Sequence, residues 1–207
     1  MMKYKLTEET KQHEGVTLYR IQALVDIPSI HVKAGDLGGW IAGEHNLSQE
    51  GSAWVSGNAK VFENAWVWGD AKVYGKALVA GDAEVYGSAW VSGHAKVYGN
   101  AEVYGDAEVF GYAVVYGDAW VYGDAQVYGD AVVYGNARVF GNAEVFEDAE
   151  VYGKARVYGN ALVYGNAKVF GNAIVYGDAE VYGDAEVYGN AIVFGDALVY
   201  GNAKVSK

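Results

Sequence analysis

From Gly51 onward the chain repeats every six residues, and that period leaves little choice of fold. The unit reads Gly, Asp or Asn, Ala, a variable residue, Val, then Tyr or Phe. Its Val recurs 26 times from Val55 to Val205 without an insertion, and an Ala stands two residues before each, from Ala53 to Ala203. Residues two apart share one side of an extended segment, so each Ala and Val points into a core while the residues flanking Val point outward. A helix is excluded: six residues do not close a whole number of turns, and a Gly in every unit would cost about 1 kcal/mol each. The composition carries the same imprint. Hydrophobic types make up 52% of the 207 residues, enough for a sizeable core, and Gly 29 with Pro 1 reflects the repeat. With Cys 0, disulfides and thiolate metal sites are excluded.

This pattern of an aliphatic residue, a turn pair and a small residue resembles the hexapeptide-repeat family. The resemblance implies an all-β, single-stranded left-handed parallel β-helix with three hexads per triangular coil. Its hand rests on that resemblance, since the usual crossover rule would give the opposite one. Twenty-six hexads then make nearly nine coils, a prism roughly 40 Å long at the usual strand spacing. Gly follows the outward aromatic in most units and Asp or Asn follows Gly, as sharp corners favour. Glu63 and Glu147 stand in the place of Gly, however, and Lys76, His94, Tyr112 and Lys154 in that of Asp or Asn. On the sequence, no single corner strictly demands a positive φ, and the Asp and Asn read as turn formers rather than ligands.

Residues 1–50 fall outside the register and read as an N-terminal cap on the helix of residues 51–207, because a solenoid must close its apolar end. The alternation in Tyr19 to Val25 predicts a strand paired with Tyr4-Lys5-Leu6, with Thr7 to Gly15 between them. The stretches LYRIQALVDI, VKAGDLGGWI and NLSQEGSAWV resemble the leader of YdcK-like β-helix proteins of bacteria and their phages.

Three hexads per coil sort the residues after Val into three columns. One, Trp68, Tyr86, Tyr104, Tyr122, Phe140, Tyr158, Tyr176 and Phe194, is unbroken and is the candidate interaction surface. A second runs from Tyr98 to Tyr188 after a break at Ala80, and a third from Phe110 to Tyr200 after Ser92. In-register rings one strand apart stack, and seventeen such neighbours at ~0.5 kcal/mol each contribute on the order of 8 kcal/mol gross. An aromatic face also suits protein contact or, less well, sugar binding. Trp66, Glu84, Glu102, Trp120, Arg138, Arg156, Ile174 and Ile192 flank the unbroken column, a face that turns from acidic to basic to apolar along its length.

Chemistry is scarce by comparison. The resemblance implies an acyltransferase with a His base in a cleft between subunits, but of His13, His31, His45 and His94 only His94 lies in the repeat, at a corner with no loop to enclose a substrate. Asp106 with Asp124, and Asp178 with Asp196, share a column without a calcium-binding spacing, and no cofactor, metal or catalytic residues are expected. A net charge of -11 argues against nucleic acid and anionic membranes as partners, and no apolar stretch approaches a membrane span, so a cytoplasmic location is expected. The sequence therefore favours a non-catalytic structural or interaction rod over an acyltransferase or a carbohydrate-binding surface. Its last coil, with Val199 and Val205, reads as an open end suited to a homodimer about a two-fold axis, with a lateral trimer as the alternative.

Overall fold

The computed structural model describes residues 2–207. It is an all-β solenoid of about nine turns whose strands form sheets of twelve, nine and eight members. Among the described residues helix is confined to two short 3-10 turns, Pro28–Ile30 and Glu44–Asn46. Among the described residues no helix is long and apolar enough to cross a membrane.

Each hexad supplies one strand of two to four residues, and every strand pairs in parallel with the one eighteen residues further on. Val121 lies beside Val139, Val127 beside Val145 and Val133 beside Val151, so three hexads close one coil. The core follows directly. Every Ala and Val of the repeat from Ala53 to Val187 is fully buried, in one continuous apolar column. Small Ala beside branched Val lets the layers stack as one apolar column, and the backbone between them is satisfied by coil-to-coil bonds such as Trp120 N to Ala137 O at 2.9 Å.

The corners differ from the reading of the sequence. Every Gly of the repeat has a positive φ, between 63° and 78°, and Glu63 and Glu147 adopt the same conformation at 56° and 59°. The corner thus does demand a left-handed residue, and the two Glu are strained occupants of a glycine place. A side-chain bond offsets the strain. Glu63 Oε2 accepts the Gly81 N–H at 2.6 Å and Glu147 Oε2 accepts that of Gly165 at 2.9 Å, in each case one coil onward. The next corner residue does more than turn the chain. Asn side chains donate to the equivalent Asp or Asn of the following coil, as in Asn142 to Asn160 to Asp178 and Asn100 to Asp118, at 2.8–3.0 Å.

The first residues extend the twelve-stranded sheet. β1 (Tyr4–His13) and β2 (Val16–Ala23) form an antiparallel hairpin, and β3 (Leu37–Ile41) follows β2 antiparallel. Strand pairing beyond Leu6 is longer than the sequence suggested: Thr10 to His13 pair with Tyr19 to Val16, and the turn is only Glu14-Gly15, both with positive φ. β3 then switches the sheet to parallel, with Ile41 beside Val61, and Leu47 bridges to Val67 in the same sense. Both are buried, so Ile41 and Leu47 hold the Val places of a first coil that begins inside residues 1–50. The register to that coil is twenty residues rather than eighteen, which hides it from the period.

Buried polar groups fix this entry. Asn46, fully buried, accepts the Ala42 and Gly43 N–H groups through Oδ1 and donates through Nδ2 to Glu63 O at 2.9 Å and Ala65 O at 2.8 Å. Tyr4 donates its hydroxyl to Leu47 O at 2.7 Å. Lys3 donates to Ala53 O at 2.8 Å, and burial pushes its ammonium down to about 8.

Candidate functional site: the aromatic ladders

The parallel register places each outward ring one strand spacing from its equivalent in the next coil. All seventeen expected neighbours stack, with centroids 4.5–5.6 Å apart and planes within 15°. The column from Trp68 to Phe194 lies on the eight-stranded sheet, the Tyr98 column on the twelve-stranded and the Phe110 column on the nine-stranded one. Inside the ladders the rings are half-buried, with their faces against each other and their edges outward. Phe194 and Tyr200, in the last coil, are exposed.

A second set of bonds, absent from the reading of the sequence, ties the ring edges to the variable position. Tyr86, Tyr128 and Tyr164 donate their hydroxyls to Glu102, Glu144 and Glu180, sixteen residues on, at 2.8–3.0 Å. Tyr134 makes a longer contact of 3.5 Å with Glu150. The signal was present in the sequence as Tyr and Glu at a spacing of sixteen, but only the coil geometry gives that spacing meaning. Burial, followed by the neighbouring carboxylate, raises the Tyr86 phenol and pushes Tyr128 and Tyr164 up to about 12. At Tyr134 burial and the Glu150 charge do the same, to about 12.

A phenol raised in the folded state stabilises the fold fully below its unfolded value near 10, and that contribution is lost as pH rises through 12. Absorbance at 295 nm should therefore show part of the tyrosines ionising near pH 12 in the folded chain and all of them near 10 in strong denaturant. The melting temperature should fall across that same window. Folded-state titration completed near pH 10 would show that the carboxylates do not hold these phenols.

The variable column beside the unbroken ladder keeps the sequence of charges noted above, now with contacts. Arg138 lies 4.4 Å from the ring centre of Trp120, a cation on an aromatic face, and pairs in register with Arg156. On the twelve-stranded sheet opposite charges alternate instead: Lys168 pairs with Glu150 at 2.8 Å and Lys204 with Glu186 at 3.1 Å.

The histidines are not gathered. His94 is an exposed corner whose ring stacks on Tyr112 at 4.7 Å, so two residues that depart from the consensus extend a ladder of their own. His45 bonds Glu63 O at 2.8 Å, and His31 ends the first 3-10 turn with φ 58°. Among the described residues no three His, Asp or Glu side chains come together as a metal site. Val199 and Val205 lie on the final strands of two different sheets, Val199 at the edge of burial and Val205 half-buried.

A search of curated proteins returns no match. Three segments of the coils, residues 125–139, 155–169 and 185–201, match the family described as YdcK Beta solenoid repeat. These matches lie inside a continuous stack of parallel coils, so the chain is a β-solenoid that is similar, over these three segments, to the YdcK Beta solenoid repeat.

Proposed function

We propose that this protein is a non-catalytic rod, a structural or protein-interaction element that displays stacked Tyr and Phe ladders and self-associates through its last coil. The observation that carries the reading is the contrast in ring exposure. Along the coils the ladder rings from Tyr116 to Tyr188 are half-buried against one another, whereas Ile192, Phe194, Leu198 and Tyr200 form a group all more than half exposed, at 54–58%, a level reached elsewhere on the rod by Tyr112 alone among the described large apolar side chains. These four surround the strands at Val193 and Val199, the outermost described strands of their two sheets. The chain's net charge of -11 opposes close packing of two rods along their length, and an end-to-end pair about a two-fold axis closes without further growth.

Light scattering on the intact chain should give the mass of a dimer. A chain with Val199→Lys and Val205→Lys should give that of a monomer, with the far-UV circular dichroism of the rod retained. A dimer that survives both charges is not joined through this coil.

A further inference from the structure

The ladder on the twelve-stranded sheet has one empty rung. Phe62 and Tyr98 stand two coils apart in the same column, with Ala80 between them where every following coil to Tyr188 carries a ring. Tyr98 stacks on Tyr116 at 5.1 Å and 7°, but its other face has no ring, and it is exposed where Tyr116, Tyr134 and Tyr152 are half-buried. Phe62 is covered instead by the hairpin, whose His13 meets it edge to face at 5.3 Å.

Above Ala80 lies a cavity of about 530 Å³. Leu78 and Ala80 form its floor, Tyr98 one wall and Phe62 with the hairpin turn at Glu14 the other. The other comparable break is covered by the chain itself: Ser92 leaves Tyr74 without a stacked neighbour, and Trp90 meets that ring at 6.1 Å and 80°. At the Ala80 break the methyl itself is buried with Leu18, Trp40 and Phe62, but no side chain of the protein stacks on the face of Tyr98 turned toward it.

We infer that this vacant rung is a binding site for a small molecule bearing a planar aromatic ring and an amine. Two coils span roughly 9.6 Å, so a ring placed at the Ala80 rung would sit one stacking distance from Tyr98. The cavity falls within the usual range for small ligands, leaving room for a short tail beyond the ring. Its rim selects the tail's charge. Two carboxylates, Glu14 and Glu63, face one ammonium, Lys96, and Glu63 uses only Oε2 on the Gly81 N–H, leaving its other oxygen free. The tight turn at Glu14-Gly15, held by residues with positive φ, sets the Glu14 side of the rim. This site lies far along the rod from the last coil and does not depend on self-association.

Calorimetric titration of the full chain with tryptamine tests the inference. A single saturable site is expected. Ala80→Tyr, which fills the rung with the protein's own ring, and Tyr98→Leu, which removes the stacking face, should each weaken binding at least tenfold with circular dichroism unchanged. If the hairpin does not tolerate the larger side chain at residue 80, Tyr98→Leu decides alone. Indole-3-propionate, of opposite charge, and 2-cyclohexylethylamine, with a puckered ring, should each bind several-fold more weakly. Absence of saturable tryptamine binding, undiminished binding by Tyr98→Leu, or equal binding of either control compound would overturn it.

Discussion

A chain carrying Gly123→Val should be destabilised by about 3 kcal/mol or more. Gly123 has φ +74°, a conformation that a β-branched residue adopts only under strain. Space is the second cost. A Cβ there would lie 3.0 Å from Gly141 N and 3.3 Å from its O, backbone atoms that the coil register holds in place. Gly195→Val separates the two contributions, because Gly195 has φ +63° but nothing within 4 Å of its added Cβ. It should lose only the conformational part. Thermal and urea melts of both variants check this, and equal losses at the two positions would mean that close coil approach does not matter.

Asn46→Leu is the second large loss, again about 3 kcal/mol or more. The replacement keeps the side chain's volume but removes all four of its hydrogen bonds, leaving the Ala42 and Gly43 N–H groups and the Glu63 and Ala65 carbonyls to find other partners. A buried polar group left unmade costs about 1–3 kcal/mol, and Asn46 is fully buried, as is Ala65. Asn46→Asp keeps the acceptor but sets a buried carboxylate oxygen against the Glu63 and Ala65 carbonyls, so near neutral pH it should lose at least as much as the Leu variant, and it should recover in part when acid protonates the carboxyl. Hydrogen exchange should show the loss first at Ile41, Leu47 and the coil they stack on. A Leu variant as stable as the native chain would mean that the amide is not what fixes the first coil.

The coils were legible in the sequence because every constraint there has the same period. Val at every sixth residue gives the strands, Ala two residues earlier gives the inward face, and three strands per coil give the columns, so the alignment of Trp68 to Phe194 follows from the sequence alone. What the period could not show was whatever departs from it. Ile41 and Leu47 belong to the stack, but a register of twenty residues conceals them among residues that look irregular. Glu63 and Glu147 looked like evidence that the corner was tolerant, when their carboxylates reach one coil onward to compensate for a left-handed backbone. The Tyr to Glu bonds are contacts between positions sixteen apart, a distance that has no significance until the chain is wound. Ala80 read as an interruption; only the hairpin folded back beside it makes that interruption a cavity.

That the rings hold the rod together is tested most directly at Tyr122, in the middle of the unbroken column. Its ring stacks on Tyr104 at 4.9 Å and on Phe140 at 4.8 Å, with planes within 2° in both cases. Tyr122→Ser removes both stacks and should lower stability by about 1–3 kcal/mol, which for a chain of this size means about 2–4 °C of melting temperature per kcal/mol. Tyr122→Phe keeps both and should melt with the native chain. A Ser variant whose thermal melt coincides with that of the native protein would contradict the account, for the ladders would then be surface display and not part of what holds the coils in register.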